Sequence, residues 1–280
     1  METSSLPSSR KFDVTFSDNS QPAHCPRNSA VGRAVVVIGS GLGAAAFCDA
    51  VGRFYAGPGS QSNSNRILPV GLAPDGKLPP DPEMVRVATN RLRTLYEVSD
   101  TSEVLALIRN ALTAQADANV VIVLSAAPDY LLREVALPGV KQLITAKVKS
   151  LIIVESPGLL DSEALRRLRA EWPTLVVTID QAIGDSVPYP AASIEKDFAQ
   201  PHPVVDAYRA HKLMPYDAPS YDMAGMLYAI HPELPFWVKQ GKVTLDPEQK
   251  DTLLKTYIET ASAKPVPRRQ FRPQAAEVKK

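Results

Sequence analysis

The hydrophobic positions of this chain fall into two kinds of run, and the two alternate. Short stretches dominated by Val, Ile and Leu recur as "AVVVIGS", "RILPVGL", "NVVIVLSA", "SLIIVES" and "TLVVTID". They are near-continuous rather than alternating apolar and polar, which is the signature of strands buried on both faces of a parallel sheet. Between them the apolar positions take helical spacing: Leu42 to Tyr55, Pro82 to Leu95, Ser102 to Ala116 with a stripe at Val104, Leu107, Ile108 and Ala111, and Ser162 to Glu171. "PDYLLREVALPGVKQLITAKV" carries Pro138 in its middle and so predicts a helix, a break and a second helix. Strand and helix in alternation predict an α/β fold, a single domain with a mostly parallel Rossmann-like sheet flanked by helices.

Beyond Asp180 the alternation stops. "HPVVDAYRAHKL", "PSYDMAGMLYAIHP" and "DPEQKDTLLKTYIETAS" predict a helical C-terminal part, the last helix starting at Asp246 or Pro247, and "FWVKQGKVTL" predicts a small hairpin around Gly241. The pattern divides the chain into a Ser/Pro/Asn-rich leader over 1–33, expected to be disordered or loosely attached with "KFDVTF" as a short strand, a domain over 34–262, and a flexible basic tail over 263–280.

Composition acts mainly by exclusion. The 31 basic and 30 acidic side chains leave a net charge of +1 with no basic stripe, so no nucleic-acid partner is expected. No apolar run is long enough to cross a bilayer and the N-terminus has no hydrophobic leader; the expectation is no membrane partner and a cytoplasmic location. Cys25 and Cys48 are too few for a disulfide framework or a zinc site, and Cys48, among apolar helical positions, is expected as a buried thiol.

One turn offers phosphate-binding chemistry. "VVVIGSGLGAAAF" feeds a strand through Gly39 and Gly41 into a helix at Ala44, fitting the spacing G-x-G-x-x-G/A that lets a backbone approach a pyrophosphate. The acid expected about 20 residues on, to hold a ribose hydroxyl, is not at the end of the next strand, where only Asp75 follows in a Pro/Gly loop. A dinucleotide site and a plain strand-to-helix turn therefore compete at Gly39–Gly41–Ala44.

The second half resembles the nucleoside hydrolases, the inosine/uridine-preferring N-ribosyl hydrolase family. The resemblance runs through "EWPTLVVTIDQAIGDSVPYPAASIEKDF", "HPVVDAYRAHKLMPYDAPSYDMAGMLYAIHPELPFW" and "GKVTLDPEQK", with "AAAFCDAVGRFYAG" and "NVVIVLSAAPDYLLREV" looking like the family's upstream elements. It implies the nucleoside hydrolase fold, hydrolysis of N-glycosidic bonds in nucleosides, and a turn at Gly39–Gly43 that carries no dinucleotide. In that family a calcium ion holds the attacking water and two ribose hydroxyls. Its ligands are a D-x-D-x-x-x-D-D motif after the first strand, a mid-chain carbonyl and a late Asp, to which Asp222 in "PSYDMAG" corresponds.

The chain departs from the family at three places. The N-terminal aspartate motif is missing, since "KFDVTFSDNS" offers only Asp13 and Asp18 at the wrong spacing; Glu155 in "ESPGLLDSEALRRL" lacks the asparagine of the family's E-x-N segment; and the family's Thr-Asn stands here as Pro128-Asp129. Calcium takes about six to eight oxygens, and one carboxylate cannot offset its dehydration. The expectation is a divergent relative with a vestigial metal position at Asp222, no bound cofactor, and weak or absent hydrolysis; the alternative is a non-catalytic homologue that binds a ribosyl small molecule or serves as a scaffold, with homo-oligomers left open.

The substrate-binding residues expected are Asp222, Asp129, Glu155 and Asp180, with no catalytic residue assignable. Asp180 ends a strand, where ligands of open α/β sheets gather, and fits a helix N-cap equally well. His202, His211 and His231 sit at helix ends as capping or surface residues, and Ser125 and Ser186 have no neighbouring base to make a nucleophile. Tyr208, Tyr216, Tyr221, Tyr228, Phe236 and Trp237 are expected as packing, with one or two free to stack on a base.

Overall fold

The β-branched runs do become strands. The computed structural model describes residues 12–17, 34–39, 42–56, 70–72, 87–88, 90–91, 95–125, 128–157, 162–198 and 201–263. Strands β1 (Phe12–Ser17), β2 (Ala34–Gly39), β3 (Val70–Leu72), β4 (Val120–Ser125), β5 (Val148–Val154), β6 (Leu175–Ile179), β7 (Trp237–Gln240) and β8 (Lys242–Leu245) form one sheet in the order β3-β2-β1-β4-β5-β6-β8-β7. Every pairing is parallel except β7 with β8. The first six strands follow the 3-2-1-4-5-6 order of a doubly wound sheet, which reverses direction between β1 and β4. The fold is thus α/β, with a mostly parallel, Rossmann-like sheet.

Strand β1 corrects the expected leader. "FDVTFS", which overlaps the expected "KFDVTF", lies inside the sheet, pairing in register with β2 (Val14↔Val36) and with β4 (Val14↔Ile122). Residues 12–17 are therefore part of the domain, and its start at 34 moves upstream. The 3.6- and 2-residue patterns cannot report this, because a six-residue run flanked by Ser, Pro and Asn looks the same at an edge as at a centre.

The helices follow the sequence pattern: α1 (Leu42–Ala56), α2 (Val104–Thr113), α3 (Asp129–Val135), α4 (Val140–Lys147), α5 (Glu163–Glu171), α6 (Gln181–Ser186), α7 (Ala191–Lys196), α8 (Pro203–His211), α9 (Tyr221–Ile230) and α10 (Lys250–Ser262). Pro138 breaks α3 from α4, and Gly139 turns the chain at φ 80°. The helix expected over Pro82 to Leu95 lies mostly outside the described residues, as do Gly41 of the glycine turn and the tail from 264 onward.

Alternation along the strands sorts the core onto two faces. Ile122, Leu124, Leu151 and Ile153 meet the helices α2 to α5 on one side. Val123, Ile152, Val154 and Ile179 meet α1 and the helices from α6 onward on the other. The second face explains the long helical stretch after Asp180: it covers the sheet instead of building new crossovers. That stretch is not wholly helical, because the hairpin around Gly241 (φ 77°) adds β8 and β7 to the sheet through Ile179↔Val243.

Two glycines seat α9 on its neighbours. A Cβ on Gly225 would come within 2.2 Å of Val154 Cγ2, and one on Gly184 within 2.1 Å of Tyr221 Cδ1. Only a bare backbone allows α9 to lie between α6 and the ends of β4 and β5.

Cys48 departs from the expected free thiol. It is buried at 2 % exposure, as anticipated, but it is disulfide-bonded. Sequence counting misses this because a count too low for a disulfide framework does not exclude a single bond. Among the described residues no helix is long and apolar enough to cross a membrane.

Candidate functional site at the carboxyl edge of the sheet

In a doubly wound sheet the crevice for ligands opens beyond the carboxyl ends of the strands at the reversal of strand order, here between β1 and β4. Buried polarity gathers beside this place. Of the eleven buried polar side chains among the described residues, Ser125 closes β4, Glu155 and Ser156 follow β5, and Ser220 and Asp222 form the head of α9. Buried polar groups cost free energy unless they are partnered, so these five, on elements that follow or pack against the ends of β4 and β5, mark that edge as a candidate site.

Asp222 is 5 % exposed and lies in the first turn of α9. It precedes by one turn Gly225, which rests on Val154, the last residue of β5, and has Val123 of β4 within 3.6 Å of its Cβ position. Three residues of helix rise about 4.5 Å, which keeps Asp222 close to the carboxyl ends of both strands. Its setting is rigid. The Ser220 amide donates to the Gly184 carbonyl at 3.3 Å and its hydroxyl to the Val187 carbonyl at 2.7 Å, so the N-cap serine binds the α6 end and leaves its own helix without a side-chain cap.

Next to Asp222, the Tyr221 hydroxyl donates to the Asp185 carboxylate, whose other oxygen accepts from Gln181 Nε2 at 3.1 Å. Burial, reinforced by the hydrogen bond and charge of Asp185, pushes the Tyr221 phenol up to about 12. At neutral pH Tyr221 is therefore a neutral donor tied to α6, with no phenolate to act as a base.

The other expected residues reach the same edge and are engaged differently. Asp129, Glu155 and Asp180 follow β4, β5 and β6, adjacent strands spaced about 4.8 Å apart. Asp129 is exposed in the first turn of α3. Asp180 caps α6, accepting the Ala182 amide at 2.8 Å, the capping alternative of the two open in the sequence. Glu155 has both oxygens in ion pairs, with Lys242 Nζ at 2.6 Å and with Arg169 at 3.4 Å. A carboxylate so paired binds β5, α5 and β8 together and has no surplus negative charge for a cation.

These engagements decide whether the residues fit a calcium ion. Among the described residues no three His, Cys, Asp or Glu side chains converge as a metal set. Glu155 is held by two cations, Asp180 caps a helix and Asp129 is exposed on α3, so these carboxylates do not join Asp222 in a ligand set. The described residues do not fit the cation, whose hard charge needs several anionic oxygens. Asp13 is the second residue of β1, and Asp18 lies outside the described residues.

The remaining expectations resolve simply. Gly39 ends β2 and Ala44 is buried in α1 at 2 % exposure. Their turn is one strand removed from the β1/β4 reversal, where a pyrophosphate would sit. His211 ends α8 and is exposed, and His231, exposed at the end of α9, pairs through Nδ1 with Glu233 at 2.9 Å. His202 caps α8 as expected, but is buried. The aromatic set packs: Tyr208, Tyr221, Tyr228, Phe236 and Trp237 are buried, and the half-buried Tyr216 stacks on Tyr208 at 5.7 Å. Sequence reasoning missed Ser156 and Ser220, and the cations Lys242 and Arg169. The one available signal was position: a serine directly after a β-branched run lies at the carboxyl edge of a parallel sheet.

No family model and no curated protein matches the chain. Among solved structures it is similar to the crystal structure of the effector protein XOO4466, with a TM-score of 0.58 at 15 % identity over 91 % of this chain and 95 % of that one. At this identity the likeness establishes the shared fold.

Proposed function

We propose that this chain is a nucleoside hydrolase-like protein that binds a ribosyl small molecule at the carboxyl edge, with N-glycosidic hydrolysis weak or lost. The observation that carries the reading is the buried Asp222 at the head of α9, a helix that packs on β4 and β5, the strands whose carboxyl ends carry the buried Ser125 and Ser156. A carboxylate and hydroxyls in a dry corner suit the vicinal hydroxyls of a sugar, which donate to the former and exchange hydrogen bonds with the latter. The resemblance of "PSYDMAG" to the family's late aspartate segment supports the same position.

Chemistry on the bound riboside is limited by what the corner lacks. Hydrolysis needs a water made nucleophilic by a metal or a base. Glu155 and Asp180 are committed to Lys242, Arg169 and the α6 amide, and Tyr221 stays protonated. Asp222 orients the sugar and does not activate water.

Calorimetric titration with inosine and uridine, with and without calcium, beside a ribose-release assay, tests this. The reading expects calcium-independent binding and little release. Strong calcium-dependent turnover would favour an active hydrolase, and NADH binding a dinucleotide site at Gly39–Gly41–Ala44.

A further inference from the structure

His202 stands apart from the site and is built differently from the other described histidines. It is 2 % exposed, while His211 and His231 are exposed. Its ring is walled by the edges of Phe54, Tyr55 and Phe198, with centroids at 4.5, 5.6 and 4.8 Å. Both ring nitrogens are engaged. Nδ1 accepts the Val204 backbone N–H at 3.1 Å as the N-cap of α8, and Nε2 lies 2.8 Å from the Tyr55 hydroxyl on α1.

The hydrogen-bond chemistry fixes the proton. A backbone N–H only donates, so Nδ1 carries no hydrogen; the neutral ring then keeps its proton on Nε2 and donates to Tyr55 Oη. A second proton would go to Nδ1, where it faces the Val204 N–H and the positive end of α8. We propose that His202 is a proton-sensitive clasp that fastens the head of α8 to α1 at neutral pH and releases it on acidification.

The groups around the ring agree with this direction. On α1 the Tyr55 hydroxyl faces Nε2, and one turn earlier Asp49 and Arg53 neutralise each other at 3.2 Å. On α8 the Asp206 carboxylate, one turn after the cap, is paired with Arg91, which also donates to the Pro201 carbonyl at 3.4 Å. From the end of α7 the contact is the apolar Phe198. Asp49 and Asp206, the carboxylates of α1 and α8, are thus already matched by cations. Release would loosen α8, whose chain runs on through Tyr216 to α9, the helix that bears Asp222.

Linkage gives the size of the effect. An imidazole freed by opening titrates near about 6.5, so lowering the pH from 7 to 5 multiplies the open population of a clasp that cannot hold the second proton by about 25. Amide hydrogen exchange at Val204 in the full-length protein, corrected for its intrinsic pH dependence, reads this opening. The expected result is that rise in the wild type and a flat profile in His202→Asn, whose side chain can cap α8 without titrating. Tyr55→Phe is the second variant: it removes the Nε2 partner, leaves the cap, and lowers protection while keeping the pH slope. A nitrogen-15 spectrum with Nδ1 protonated at pH 7, or a wild-type profile as flat as that of His202→Asn, overturns the proposal.

Discussion

Gly225 and Val154 touch so closely that the space for a Cβ on the one is filled by Cγ2 of the other, 2.2 Å away. This contact sets the height of α9 above β5 and therefore where Asp222 is buried. Gly225→Ala forces the helix or the strand end to shift, and overpacking of this kind costs about 1–3 kcal/mol. Chemical denaturation reads the loss, and the variant also weakens ribosyl binding by displacing Asp222. An alanine variant as stable as the wild type would show that α9 does not rest on β5 in this way.

Glu155 makes a second prediction, through its two cations. With a side chain only 9 % exposed, it depends on Lys242, which is 47 % exposed, and on Arg169. Lys242→Met leaves the carboxylate with one longer ion pair; allowing for solvent at the lysine, the loss is about 1–2 kcal/mol. A urea midpoint unchanged by this substitution would mean that Glu155 is free to meet a ligand.

Most of the sheet was legible because β-branched runs at fully buried strands carry their own signature. The exceptions have physical reasons. β1 is as short as an edge strand and becomes central only through pairing with β2 and β4, neither of which is adjacent in sequence to its flanking residues. β8 meets β6 through the single pair Ile179↔Val243. At the site, Asp222 and Asp180 could be placed from local pattern, whereas the pairing of Glu155 with Lys242, 87 residues away, is a product of topology that no local spacing encodes.

Glu134 on α3 yields a pH prediction. It is 8 % exposed, and burial raises its carboxyl above the ordinary carboxylate range, against the lowering effect of its hydrogen bond with Tyr130. A carboxyl that is harder to ionise when folded stabilises the fold below its unfolded value, and that contribution is lost as pH rises through the folded one. Glu134→Gln should therefore raise the melting temperature at neutral pH and flatten the stability profile above the unfolded carboxylate range. Equal pH slopes in variant and wild type would refute the assignment.

Cys48 gives a chemical prediction. It is disulfide-bonded, and Cys25 is the chain's other cysteine. Protein purified without reductant and denatured should show no free thiol, and reduction should lower its melting temperature by removing a cross-link that constrains the unfolded chain. Disulfides persist in oxidising compartments, so this bond and the cytoplasmic location expected from sequence predict opposite thiol counts in cells. Two reactive thiols in freshly isolated protein would decide for the reduced form.

The central claim is that a buried carboxylate at Asp222 holds ribosyl hydroxyls without the help of a metal. Calorimetric titration of inosine into the wild type and Asp222→Asn in a chelating, calcium-free buffer tests it most directly. Binding to the wild type that survives chelation, weakened about 10-fold or more in Asp222→Asn as expected for a lost charge-assisted hydrogen bond, is the predicted result. Binding that disappears with the chelator and returns with calcium, or binding that is indifferent to Asp222, would contradict it.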